Sequence, residues 1–208
     1  MPYFEQIVNT IRENLTKPLP GLPAQTRMAP AFRGNPMRST VADTNPQRSA
    51  VLIAIFPLNG IASTLLIKRA VYNGAHSGQI GFPGGKVEDE DPSIGATALR
   101  EAEEEVGITP ESVEILGLLT SLYIPVSNML VQPVVGLLKA YPELHLNLQE
   151  VEYTINAPLS HLKDTENQSI KTINMHGNPV SAPYFRVGNE QVWGATAMII
   201  SELIELYD

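Results

Sequence analysis

Three glutamates, Glu101, Glu104 and Glu105, stand at i, i+3 and i+4 in a stretch that reads as a helix, which puts all three carboxylates on one face. Like charges so placed repel and weaken a bare helix. Clustered carboxylate oxygens are what hard cations such as Mg2+ and Mn2+ take as ligands, and an ion there offsets the repulsion. It also neutralises phosphate charge and activates a water. Just upstream, Gly84 and Gly85 follow Phe82-Pro83. Two glycines let the backbone turn tightly and approach a ligand or ion closely, with carbonyls free to join its shell. The neighbouring acids Glu88, Asp89, Glu90 and Glu103 read as a solvated face.

Two other phosphate or cation motifs fail on spacing. An EF-hand loop counted from Asp89 would need glycine where Ile94 stands and glutamate where Arg100 stands. A P-loop would need one more residue between Gly81 and Gly85, and Ser or Thr where Val87 stands.

The elements around these residues follow from periodicity. Phe4, Ile7, Val8, Ile11 and Leu15 predict a helix over 3–16, and the Pro-, Gly-, Asn- and Arg-rich stretch 17–48 predicts an irregular arm. Ala50–Phe56 and Ile61–Lys68 predict two strands joined by an Asn59-Gly60 hairpin turn. Gln79–Phe82 predicts a short strand running into the glycine pair. A helix is expected over Pro92–Val106, with Asp91 as N-cap, proline at the first position and Gly107 as the stop. Leu99, Ala102 and Val106 would be its apolar stripe. Val113–Tyr123, Met129–Leu138, Val151–Ile155 and Tyr184–Val187 predict strands, Leu159–Leu162 a short helix, and Thr196–Tyr207 a closing helix. The irregular mixture predicts an α/β or α+β fold around a mixed sheet.

Composition limits the function classes. The 208 residues suit a single domain, 1–208, with an N-terminal helix and arm over about 1–48. With no cysteine, disulfides, thiolate metal sites and cysteine nucleophiles are excluded. The net charge of −8 argues against a nucleic-acid partner. The N-terminus carries Glu5 and Glu13 without an apolar signal region, and Ala195–Ile200 is too short to span a bilayer. A cytoplasmic protein with no membrane partner is expected. Oligomeric state is open, with room for a homodimer.

The segment from Gly85 to Ile108 resembles the Nudix box, G-x5-E-x7-R-E-U-x-E-E-x-G-U, where U is bulky and apolar. Arg100 to Ile108 matches its second half, with small Ala102 at the first U. In the first half the acid falls at Asp91, and eight residues instead of seven precede Arg100. Leu65 to Gly85 further resembles the signature of the coenzyme A pyrophosphatase subgroup, L-L-T-x-R-[SA]-x3-R-x3-G-x3-F-P-G-G. Nine of its eleven specified positions agree, the exceptions being Ile67 for threonine and Gly74 for arginine. Similarity continues through Pro133–Gly136, Asn147–Val151, Pro158-Leu159 and Trp193–Ala197, covering most of the chain from about residue 25.

The resemblance implies an α/β/α sandwich and a metal-dependent hydrolase with Mg2+ or Mn2+ as cofactor. The substrate would be a small nucleoside diphosphate derivative, foremost coenzyme A, giving 3′,5′-ADP and 4′-phosphopantetheine. ADP-ribose or NADH is the alternative substrate, and a catalytically weak binding module the non-enzymatic alternative. Residue by residue, it implies metal ligation by Glu101, Glu104 and Glu105 with the Gly85 carbonyl, and positioning of a glutamate by Arg100. Glu101 or Glu150 would act as general base, and Arg69, His76 and Gly84 would meet the substrate. Tyr123 and Tyr184 are more in keeping with packing than with stacking on adenine, and Trp193 with the core or the last helix. His145, His161 and His176 show no ligand spacing. An arginine at 74 would most simply bind a phosphate. With Gly74 there, discrimination between coenzyme A and dephospho-coenzyme A should be weak unless Lys68, Arg69, Arg27, Arg33 or Arg38 supplies the charge.

Overall fold

The computed structural model describes residues 3–32, 35–36, 45–71, 77–175 and 177–207. Gly74, His76, Arg33, Arg38 and His176, weighed above, lie outside them.

The centre of the molecule is the strand β3 (Gln47–Leu58). Its run Leu52–Phe56 is fully buried on both faces, as a near-continuous apolar strand must be. Ile53 and Ile55 point into one core, and Ala50, Leu52, Ala54 and Phe56 into the other. On one edge β3 pairs in parallel with β9 (Met129–Leu137). On its other edge it turns through Asn59-Gly60 into β4 (Ile61–Arg69). Both turn residues have positive φ, 52° and 80°, the type I′ geometry that matches strand twist.

The β3–β4 hairpin then splays. Beyond Ile55↔Thr64 the two strands part, and the chain from 80 to 86 threads the gap. There β5 (Ile80–Gly81) pairs with β4, and β6 (Gly84–Lys86) with β3. The outer edge of β4 is covered by β10 (Val151–Pro158). The far side of β9 carries β7 (Glu114–Leu118) and β8 (Leu122–Ile124), which the sequence had suggested as one strand.

Helix α3 (Ile94–Val106) lies on one face of this sheet. Ala98, Ala102 and Val106 are its fully buried stripe, with Leu99 at the margin, one position from the expected stripe. The small Ala102 lets the helix seat closely on β3. The helix begins two residues later than expected. Ser93 is the N-cap, its hydroxyl accepting from the Ala96 N–H at 3.1 Å, because the Asp91 carboxylate is engaged elsewhere. Gly107 ends it with φ 78°, as expected.

The opposite face is covered by α1 (Tyr3–Asn14), α4 (Leu159–Lys163) and α5 (Ala195–Ile204), so the layers run α/β/α. The expected irregular arm is partly ordered. A short helix α2 (Gly21–Thr26) docks on α5, and β1 (Ala31–Phe32) and β2 (Asn35–Pro36) follow. The docking point is the fully buried Glu202. It accepts from the Gly21 N–H at 3.1 Å, the Thr120 N–H at 3.1 Å and Gln25 Nε2 at 2.8 Å. Beside it a second sheet forms from β11 (Gln168–Met175), β12 (Asn178–Val187) and β13 (Glu190–Trp193), with β1 and β2 at its edge. Trp193, expected in the core or on the last helix, is half-buried in β13 with the Lys171 ammonium 5.0 Å from its ring. Tyr123 and Tyr184 are buried. No helix among the described residues is long and apolar enough to cross a membrane.

Candidate active site

The split in the sheet brings four elements to one place: the end of β4 with Arg69, β6 with Gly84 and Gly85, the polar face of α3, and Glu150 just before β10. The Ala70 N–H donates to the Glu150 carbonyl at 2.7 Å, which fixes that last residue to the end of β4.

Glu105 is the most deeply set of the acids gathered here, with 1% of its side chain exposed. One oxygen accepts from Arg69 Nη1 at 2.8 Å and the other from the Gly84 N–H at 2.8 Å. Arg69 Nη2 donates in turn to the Gly84 carbonyl at 2.7 Å. These bonds close a ring that clamps the glycine turn to α3. Arg69 and Gly84, expected at the substrate, are therefore engaged with Glu105 and with each other. Gly84 has φ 153°, and a Cβ there would lie 2.2 Å from the Ala50 carbonyl, so no other residue fits.

Gly85 has a different reason to be glycine. A Cβ on it would stand 2.3 Å from Glu101 Oε1 and 2.4 Å from Oε2. The Glu101 carboxylate thus lies directly on the Gly85 backbone. Gly85→Ala should leave the fold near its normal stability but push Glu101 aside. A displacement of about 1 Å at a reacting centre costs roughly 100-fold in rate. Kinetics with a melting curve on the variant checks this: unchanged kcat would show that the position of Glu101 does not matter.

Arg100 organises the outer part. Its Nε and Nη2 reach the two oxygens of Asp91 at 3.0 and 3.2 Å, and Nη2 also donates to the Lys86 carbonyl at 3.0 Å. The same guanidinium is 3.2 Å from Glu101 and 3.4 Å from Glu104. Asp91 also accepts from Thr97 Oγ1 at 2.8 Å and the Glu88 N–H at 2.9 Å. These donors, the Arg100 guanidinium foremost, hold its carboxyl well below the usual range. The acid at the irregular position of the motif is therefore the anchor of Arg100, a role its spacing did not reveal. Glu104 remains half in solvent. Glu150 is exposed and steadied by Asn147 Nδ2 at 3.2 Å.

The carboxylates feel one another. Burial pushes Glu101 up, opposed by Arg100 and reinforced by Glu104 and Glu150. Burial likewise pushes Glu105 up to about 7, opposed by Arg69 and reinforced by Glu101. Among the described residues no three such side chains stand together as a finished ligand set, since Arg100 reaches between Glu101 and Glu104. The donor set is nonetheless all oxygen and mutually repelling, and it fits a hard divalent cation.

A pH dependence follows from Glu105. Its folded-state value is raised, so its contribution to stability is fully present below the unfolded value of about 4.3 and is lost as pH rises through about 7. In chelator the melting temperature should fall between pH 5.5 and 8. Added Mg2+ should reverse much of the loss at pH 8. A metal-free melting temperature that is flat over this range, measured by calorimetry, would contradict it.

Comparison with known proteins agrees with this geometry. The NUDIX domain family matches residues 46–160. A protein of Photorhabdus laumondii named Uncharacterized Nudix hydrolase NudL is 36% identical over 161 residues, covering 77% of this chain and 85% of that one. The human Mitochondrial coenzyme A diphosphatase NUDT8 is 33% identical over 164 residues, covering 77% of this chain and 70% of that one. A solved MutT protein from Methanosarcina mazei Go1 shares the fold, with TM-score 0.50 and 17% identity over 76% of this chain and 92% of that one.

Proposed function

Because the chain belongs to the Nudix hydrolase family, we propose that it hydrolyses the pyrophosphate of coenzyme A or a close derivative to 3′,5′-ADP and 4′-phosphopantetheine, with Mg2+ or Mn2+ as cofactor. The observation that carries the chemistry is the carboxylate cluster at the split of the sheet. Glu101, Glu104 and Glu105 project from one helix face there, and Glu101 feels the charge of both Glu104 and Glu150. Glu101, Glu104 and Glu105, with the Gly85 carbonyl, would hold the cation, which when bound would neutralise pyrophosphate charge and make water more acidic.

The side chains divide the remaining work. The ring of Arg69, Glu105 and Gly84 keeps the glycine turn in place. Arg100, tied back to Asp91, holds Glu101 and Glu104 at a fixed separation. Glu150 is the better-placed general base, because among the described residues no side-chain cation pairs with it, whereas Glu101 already carries Arg100. Water oxygen bonds to one phosphorus of the anhydride, the bridging P–O bond breaks, and the water proton passes to the carboxylate.

The choice of coenzyme A rests on the match from Leu65 to Gly85 and on the relationship to the human coenzyme A diphosphatase. Incubating the protein with coenzyme A, ADP-ribose and NADH in Mg2+ or Mn2+, and resolving products by mass spectrometry, tests it. Coenzyme A should give the highest kcat/KM. A tenfold preference for either of the others would replace the proposed substrate.

A further inference from the structure

The last turn of a helix leaves carbonyls without partners inside it. At the end of α3 a distant stretch of chain supplies them. The His145 N–H donates to the Val106 carbonyl at 2.9 Å, and the Asn147 N–H to the Glu105 carbonyl at 3.0 Å. Gly107 leaves room for this approach, since a Cβ on it would stand 2.9 Å from the His145 nitrogen. The segment 145–147 is therefore seated on the end of the helix whose face carries Glu101, Glu104 and Glu105. Asn147 is bonded to the backbone of Glu105 itself.

From that seat Asn147 engages both its backbone and its side chain. Its carbonyl accepts from the N–H groups of Glu150 at 3.0 Å and Val151 at 2.8 Å. Its side-chain Oδ1 accepts from the Gln149 N–H at 3.1 Å, and its Nδ2 donates to Glu150 Oε1 at 3.2 Å. Aspartate of the same shape could accept but not donate to a carboxylate, and serine is too short to reach both partners. The turn 147–150 is thus set before β10 begins at Val151, and the Ala70 N–H, 2.7 Å from the Glu150 carbonyl, ties its end to β4. A glutamate side chain in solvent turns freely about three torsions. Glu150 is exposed, and among the described residues Asn147 makes the hydrogen bond that its carboxylate accepts. Glu101 feels the charge placed there.

We propose that Asn147 is a positioning residue of the hydrolysis, which registers the Glu150 carboxylate against the glutamate face of α3 by way of the Glu105 backbone. This rests on the reading of Glu150 as general base. Asn147 acts through Glu150, by keeping its carboxylate in the rotamers from which it can take the proton of a water. A base works only within hydrogen-bond reach of that proton, and a misplacement of about 1 Å costs roughly 100-fold in rate. The helix that carries the glutamates and the turn that carries the base are then one unit.

The test is a double-mutant cycle on kcat with Asn147→Ser and Glu150→Gln, using whichever of coenzyme A, ADP-ribose and NADH is cleaved fastest. Serine keeps a side-chain acceptor for the Gln149 N–H but does not extend to Glu150. Asn147→Ser alone should lower kcat by roughly 10- to 100-fold, with KM within about threefold of wild type. Glu150→Gln alone should lower kcat by roughly 100-fold or more. In the Glu150→Gln background the serine change should cost less than about threefold, because groups that act as a unit are not additive. A role confined to stability gives the same loss in both backgrounds. That result, or an Asn147→Ser protein within about threefold of wild-type kcat, overturns the proposal and leaves Glu150 as the base. Glu150→Gln at wild-type kcat overturns the proposal and the reading of the base together. Should serine lower the melting temperature by more than about 10 °C, Asn147→Asp takes its place in the same cycle, with the same outcomes, because it keeps the Gln149 acceptor at full length.

Discussion

Glu104→Gln is expected to lower kcat by roughly a thousandfold or more while shifting the melting temperature by only about a degree. The rate effect follows from the proposed loss of one anionic ligand of a cation that would supply several kcal/mol of transition-state stabilisation. The small stability effect follows from position. Glu104 is 55% exposed and makes only long contacts of 3.4 Å to Arg100. Glu105→Gln makes the contrast. Its amide would turn an N–H toward either Arg69 or the Gly84 N–H, so it should lose stability as well as activity. Circular dichroism melts beside steady-state rates on both variants separate the roles. A Glu104→Gln protein that keeps more than a tenth of wild-type kcat would remove Glu104 from the chemistry.

Asp91→Ala should be among the most destabilising single changes near the site. The carboxylate is 5% exposed and accepts from both arms of Arg100, from Thr97 and from the Glu88 N–H. Removing this carboxylate leaves the Thr97 hydroxyl and the Glu88 N–H without their acceptor and frees Arg100 from its anchor, at a combined cost of roughly 3–5 kcal/mol. For a chain of 208 residues that is a drop in melting temperature of about 10 °C. Activity should fall too, since Arg100 would swing fully onto Glu101 and Glu104. Asp91 is held below the ordinary carboxylate range, so its contribution is present above its unfolded value of about 3.9 and disappears as pH falls further. A drop of less than about 2 °C at pH 7 would show that the Asp91–Arg100 pair is not a structural anchor.

The sequence carries the helix and its glutamates plainly, because both depend on contacts within three or four residues. The Asn59-Gly60 hairpin and the Gly107 stop are legible for the same reason: each depends on local φ preference. What it does not carry are bonds that exist only once the sheet has opened. Arg69 meets Glu105 across 36 positions, and only because β5 and β6 fill the gap between β4 and β3. That contact gives Arg69, expected at the substrate, a clamping role as well. The role of Asp91 was hidden by a better local explanation, N-capping, which Ser93 takes instead. Strand β11 escaped because Ile170 and Ile173 are three apart, out of phase with a strand, and Ile170 is 67% exposed. The helix α2 escaped because its anchor, Glu202, is 177 residues from the Gln25 it binds.

Under the proposed function, the carboxylate face of α3 works through a divalent cation on a pyrophosphate. The most direct measurement is the rate of coenzyme A cleavage by the purified protein across three conditions: as prepared with Mn2+ or Mg2+, in excess chelator, and after the metal is restored. Equimolar 3′,5′-ADP and 4′-phosphopantetheine are expected in the first, a loss of at least a thousandfold in the second, and full recovery in the third. Cleavage that continues undiminished in chelator would contradict it.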